Sequence, residues 1–137
     1  MPTILCIDDD PRILELQKSI LEANEYKVFT APDGPTGIKL AAQHPVDVVV
    51  LDFKMPGMDG AQVAEALLQR QPDLPIVLCS GFLDAVPEWL MWFAAAYLEK
   101  GDGPEVLLAA IQRLLANQRT PGEGGGTSRS LRNAAAA

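Results

Sequence analysis

The sequence predicts a single α/β domain built on a doubly wound parallel sheet, with helices on both faces. Three observations predict it. Five short runs of aliphatic and β-branched residues alternate with five longer stretches of helical periodicity, which is the signature of βαβ units. Those short runs are continuously apolar rather than alternating, as expected of strands buried on both faces. The 137 residues, 48% hydrophobic and 21% charged, are enough for one ordinary globular domain and its core but not for two packed domains.

The first strand is predicted over Thr3–Ile7. Asp10 then stands at a helix N-cap with Pro11 in the first helical position, and Ile13, Leu16 and Ile20 form a stripe on a helix ending near Asn24. A second strand, Lys27–Ala31, leads through Asp33 and Gly34 into a helix carrying Ile38 and Leu40, which Pro45 stops. The third strand is predicted over Val46–Leu51, and the helix after it runs from about Gly60 to Gln71 with Val63, Ala64 and Leu67 inward. Pro75–Cys79 is the fourth strand, the stretch from Ala85 to Ala95 the fourth helix, and Ala96–Glu99 the fifth strand. The last helix spans Pro104 to about Asn117, with Leu107, Ala110, Ile111 and Leu114 at the spacing of one face. No internal repeat is present. These elements make residues 1–119 the domain; 120–137 turn to Gly, Ser and Thr and end in four alanines, so a flexible tail and no attached output domain are expected.

Charge and hydropathy exclude several functions. A net charge of −7 opposes direct nucleic-acid binding, which depends on clustered Lys and Arg neutralising phosphates. The longest apolar run, Trp89 to Leu98, is ten residues, against the ~20 needed to cross a bilayer. Asp8, Asp9 and Asp10 arrive before a signal-peptide core can develop, so a cytoplasmic setting is expected. Cys6 and Cys79 lie in apolar segments without a second ligand at metal spacing and are expected to pack in the core. His44 precedes Pro45 at a helix end and has an ordinary structural role there.

In an open parallel sheet, ligands bind beyond the carboxyl ends of the strands. Polar residues collect at those ends: Asp8 and Asp9 after the first strand, Asp52 after the third, Ser80 after the fourth and Lys100 after the fifth. A flavodoxin-like strand order, 2-1-3-4-5, makes the first and third strands neighbours ~4.8 Å apart and brings the three carboxylates together. Adjacent anions need a cation, and hard oxygens with room for water suit Mg²⁺; Lys100 and Ser80 would offer a charge and a hydroxyl to a phosphoryl group. Each residue alone is an ordinary cap, turn former or solvated charge. Their joint appearance at four strand ends argues for a site.

The segment from Val48 to Gly60 is the most informative. It drives a buried strand to Asp52, then uses Met55-Pro56-Gly57-Met58 to turn into a helix capped by Asp59. Together with Ile7-Asp8-Asp9-Asp10-Pro11, Ser80 and Tyr97-Leu98-Glu99-Lys100, this segment resembles the receiver domain of two-component response regulators, in order and spacing, over about residues 3–117. The resemblance implies that Asp52 accepts a phosphoryl group from a partner histidine kinase or histidine phosphotransfer protein. It implies further that Asp9, Asp52 and the backbone carbonyl of Lys54 ligate Mg²⁺, with Asp8 acting mainly through water. Ser80 and Lys100 match the phosphate-contacting hydroxyl and lysine, and Ser80 and Tyr97 the switch pair. A receiver of this kind is not a turnover enzyme; it catalyses only its own phosphorylation and dephosphorylation.

The chain departs from the family pattern in one region. Gly101, Asp102 and Gly103 separate Lys100 from Pro104, where a proline usually follows the lysine directly, and Ser80 to Tyr97 is a short interval. A receiver-like adaptor that no longer switches is therefore one alternative. A haloacid-dehalogenase-type phosphatase is another, because Asp8 and Asp10 mimic its paired acids ahead of Ser80 and Lys100; a flavin-binding domain fits poorly with so acidic a first loop. Five consecutive large apolar residues, Trp89 to Phe93, exceed what one helix can turn toward a core. With Trp89, Trp92 and Phe93 covering the sheet, Leu90 and Met91 are expected on a face of the fourth helix, fifth strand and fifth helix that binds a downstream target protein or a second copy of the chain.

Overall fold

The computed structural model describes residues 1–81 and 85–118; the predicted tail at 120–137 lies outside them. Five strands, β1 (Thr3–Ile7), β2 (Lys27–Ala31), β3 (Val48–Asp52), β4 (Ile76–Ser80) and β5 (Ala96–Glu99), form one parallel sheet in the order β2-β1-β3-β4-β5. The helices are α1 (Pro11–Ala23), α2 (Gly34–Gln43), α3 (Gly60–Arg70), α4 (Glu88–Phe93) and α5 (Pro104–Gln118).

Strand alternation divides the core into two layers. Ile4, Cys6, Val28, Val48, Val50, Val77 and Ala96 face α1 and α5, where Leu14, Leu21, Leu107, Ile111 and Leu115 cover them. Leu5, Ile7, Ala31, Val49, Leu51, Ile76 and Leu78 face the other way, under Val63, Ala64 and Leu67 of α3 and Leu90 of α4. On that side α2 lies so close that a Cβ on Gly37 would collide with the Ile7 side chain, which would have to shift to admit it. Cys6 and Cys79 are free thiols among these apolar residues, as expected. His44 donates its backbone N–H to Leu40 at the end of α2 and stacks on Phe29 with ring centroids 4.3 Å apart.

Several boundaries and faces differ from the sequence expectation. β3 and β4 each end one residue later than predicted, which makes Asp52 and Ser80 the last residues of their strands rather than the first beyond them. At the start of β3, Asp47 Oδ2 accepts the Thr3 N–H at 2.7 Å, and regular pairing begins only at Val48. On α1 the buried stripe is Leu14, Gln17 and Leu21, while Leu16 stays 54% exposed. The two stripes lie one residue, about 100°, apart, and the polar Gln17 hides the true one from a hydrophobicity count.

The fourth helix shows the largest difference. It is six residues long rather than spanning Ala85 to Ala95. Pro87 holds an extended ψ of 142° at the N-cap and disfavours helix at the residue before it, so the helix cannot begin earlier. At the other end Ala95 donates its N–H to Ile76 at 2.8 Å, already joining the sheet. Its orientation is also the reverse of that expected. Leu90 is fully buried and Met91 packs against the core, whereas Trp89, Trp92 and Phe93 are 38%, 51% and 53% exposed.

Candidate functional site

Strand alternation also selects the site. Asp8 continues the face of Ile4 and Cys6, Asp52 that of Val48 and Val50, and Lys100 that of Ala96, so all three leave the sheet on the α1/α5 side. Ser80 and Tyr97 continue the opposite face, where Tyr97 packs half-buried against the core that Leu90 of α4 shares. β3 lies between β1 and β4, so Asp52 stands between the acidic residues and Ser80.

Two structures hold Asp52 in place. Phe53 N–H continues the ladder by donating to Cys79 at 3.1 Å, and Gly60 N–H closes the following turn onto the Phe53 carbonyl at 2.7 Å. A Cβ on Gly60 would lie 2.6 Å from Phe53 Cα and 3.0 Å from the Asp52 carbonyl oxygen, a contact no other residue permits. Within the turn Gly57 takes a φ of +78°, a conformation that favours glycine. α3 then starts on a reciprocal pair of bonds, each 3.0 Å: Gln62 N–H to Asp59 Oδ1, and Asp59 N–H to Gln62 Oε1.

Asp8 and Asp52 are 2% and 1% exposed, while Asp9 is open to solvent. One carboxylate oxygen from each of the three lies within 4.8 Å of the other two. Lys100 Nζ lies 3.1 Å from Asp52 Oδ1 and 3.4 Å from Asp8 Oδ2. That ammonium offers Asp52 a charge at close range without the alignment of a hydrogen bond, and neither Asp52 oxygen accepts one among the described residues. Burial pushes the Asp52 carboxyl up to about 6, the Asp8 charge adds to the rise and Lys100 opposes it. Asp8 is also raised by burial, against the Asp10 N–H that it accepts at 2.9 Å and against Lys100. Burial would lower the Lys100 ammonium, but Asp52 and Asp8 outweigh it and hold it above its ordinary value.

A buried carboxylate with unused lone pairs, beside two more carboxylates of which one is solvated, is a donor set of hard oxygens with space for water. It fits Mg²⁺. Asp8, Asp9 and Asp52 each bring one carboxylate oxygen to that set, and the Lys54 carbonyl stands two residues beyond Asp52 in the chain. Asp10 takes no part. It caps α1 by accepting the Arg12 N–H at 2.9 Å and pairs with the Arg12 side chain, which holds its carboxyl below the usual range.

The structure thus brings Asp8, Asp9, Asp52 and Lys100 into one cluster and places Ser80 and Tyr97 beside it on the neighbouring strands. Sequence reasoning missed the turn that follows. Lys100 N–H donates to Ser80 at 3.1 Å, Asp102 N–H donates to the Glu99 carbonyl at 3.0 Å, and Asp102 Oδ2 accepts the Glu99 N–H at 3.1 Å. The available signal was an Asp three residues after a strand end, a position that favours turns closed by a side chain.

The family model described as the response regulator receiver domain matches residues 4–112. The response regulator MprA of Mycolicibacterium vanbaalenii is 37% identical over 131 residues, which are 93% of this chain and 56% of that protein. The DNA-binding dual master transcriptional regulator RpaA of Synechocystis is 37% identical over 120 residues, 84% of this chain and 49% of that protein. The chain spans about half the length of these curated relatives. Among solved structures, the response regulator TrrA of Thermotoga maritima, in complex with Mg²⁺ and BeF, superposes with a TM-score of 0.77 at 31% identity, over 83% of this chain and 99% of that one. TrrA in complex with the histidine kinase ThkA gives 0.76 at 31% identity, over 84% and 99% of the two chains.

Proposed function

Because the chain belongs to the response regulator receiver domain family, we propose that its signalling step is transfer of a phosphoryl group to Asp52 from the phosphohistidine of a histidine kinase or histidine phosphotransfer protein. The observation that carries this reading is Asp52 itself: 1% exposed at a strand end, with both oxygens lacking a hydrogen bond and a lysine at 3.1 Å. An Asp52 oxygen attacks phosphorus, the bond from phosphorus to the donor nitrogen breaks, and the leaving imidazole keeps the electron pair.

Lys100 offsets the repulsion between two approaching anions and stabilises charge on the equatorial phosphoryl oxygens. Mg²⁺, held by Asp9, Asp52 and the Lys54 carbonyl with Asp8 behind, would neutralise further charge on the same group. Ser80, at the end of the neighbouring strand, offers a hydroxyl to the product, and Tyr97 carries the change toward α4. The chain modifies its own side chain and turns over no other substrate.

The exposed Trp89, Trp92 and Phe93 make the α4 side of the molecule the surface for a downstream target protein or a second copy. A net charge of −7 argues against DNA contacts by this chain itself. No helix among the described residues is long and apolar enough to cross a membrane, and an exchange with a kinase fed by ATP belongs in the cytoplasm.

Incubation with Mg²⁺ and acetyl phosphate, followed by intact mass and peptide mapping, tests the reading. One acid-stable, base-labile phosphoryl group on Asp52 is expected. A protein that takes no label would be a receiver-like adaptor instead.

A further inference from the structure

Among the described residues β5 is the last strand of the sheet and pairs only with β4. In a parallel ladder, successive residues direct their N–H groups to opposite sides. Lys100 N–H points to Ser80 on β4, so the Glu99 N–H points to the open edge. Asp102 Oδ2 takes it at 3.1 Å, and the Asp102 N–H returns to the Glu99 carbonyl at 3.0 Å. Lys100 and Gly101 are the two central residues of the turn closed in this way.

Glycines flank Asp102 on both sides, giving the segment after β5 the freest backbone in its neighbourhood. The two bonds remove that freedom from the residue that has to hold its ammonium 3.1 Å from Asp52 and 3.4 Å from Asp8. We propose that Asp102 is a positioning residue for Lys100: its carboxylate clamps the turn on the Glu99 backbone and so fixes the lysine over the acceptor. Asp102 acts through the backbone and touches neither phosphate nor metal. The role rests on the phosphoacceptor reading above.

The test compares Mg²⁺-dependent labelling by acetyl phosphate in the wild type, Asp102→Ala, Asp102→Asn and Asp52→Asn. Displacing a catalytic group by about 1 Å costs up to ~100-fold in rate, so Asp102→Ala should label about tenfold or more slowly. Its affinity for Mg²⁺ should be unchanged, because the metal ligands are elsewhere, while its affinity for beryllofluoride, which needs Lys100, should fall. Asp102→Asn keeps an oxygen that accepts the Glu99 N–H and should restore most of the rate. Amide exchange at Glu99 should quicken in Asp102→Ala only.

Equal labelling rates in wild type and Asp102→Ala, a Glu99 amide that exchanges equally in both, or failure of Asp102→Asn to rescue would each overturn the role of Asp102 while leaving the acceptor assignment standing. An unlabelled wild type, or an Asp52→Asn protein that still labels, would overturn the acceptor assignment and this role with it.

Discussion

Lys100 reaches Asp52 from two strands away: the ammonium at the end of β5 lies 3.1 Å from the carboxylate at the end of β3, above the intervening end of β4. The same ammonium is 3.4 Å from Asp8, so one lysine serves two buried carboxylates and compensates neither fully. Burial first, and the repulsion from Asp8 after it, keep the Asp52 carboxyl raised despite a cation beside it, and the uncompensated charge gives the site an appetite for a second positive charge.

Asp52→Asn should abolish labelling and stabilise the metal-free protein. The amide has nearly the same shape, removes one buried charge and leaves Lys100 paired with Asp8. A gain on the order of 1–2 kcal/mol at neutral pH is expected from denaturant unfolding, since burial of the charge outweighs its partial pairing.

The pH dependence of stability should carry the same signature. The folded-state pKa of Asp52, about 6, lies above the ordinary 3.8, so between these values the folded protein holds more protons than the unfolded chain. Stability from this group is therefore present at low pH and declines as pH rises through that window, by on the order of 3 kcal/mol. Unfolding curves measured from pH 4 to 7 without Mg²⁺ should show the decline in the wild type and a flatter profile in Asp52→Asn.

Millimolar Mg²⁺ should raise the melting temperature by mass action, because the folded state alone gathers the three carboxylates. Asp9→Ala removes an exposed carboxylate of the cluster at little cost to the fold. It should weaken Mg²⁺ binding about tenfold or more and slow labelling in parallel, as read by calorimetric titration and by mass.

Gly60→Ala should damage the site from a distance. Its Cβ would meet backbone atoms of Phe53 and Asp52, not the flexible end of a side chain, so the turn has to move. A loss of roughly 2–3 kcal/mol, within the range for overpacking, is expected together with slower labelling. Unchanged thermal stability would show that the turn has slack the geometry denies.

On α4 the two sets of residues should separate cleanly. Leu90→Ala leaves a cavity in the core and should cost about 2–5 kcal/mol. Trp92→Lys and Phe93→Lys, at half-exposed positions, should leave the melting temperature within a few degrees and preserve labelling. Sedimentation with and without beryllofluoride then reads whether these aromatics hold a second copy or leave the surface for another protein.

Much of this protein was legible in its sequence because the information is local. Continuous apolar runs mark strands buried on both faces, Asp10, Asp33 and Asp59 with their following residues mark helix starts, and four polar strand ends in a parallel sheet meet along one edge. Tertiary structure alone decided the rest. Which stripe of α1 faces inward depended on Gln17 being admitted to the core, and the orientation of α4 depended on the few residues between Pro87 and the docking of Ala95 on β4. In so short a helix nearly every residue is large and apolar, so periodicity carries no direction, and only the assembled core, where Leu90 joins Ile76 and Leu78, reveals it. The clamp of Asp102 on Glu99 was hidden for a related reason: its value comes from β5 being, among the described residues, an edge strand whose Glu99 N–H is taken by no neighbouring strand, a property of the assembled sheet rather than of any local run of residues.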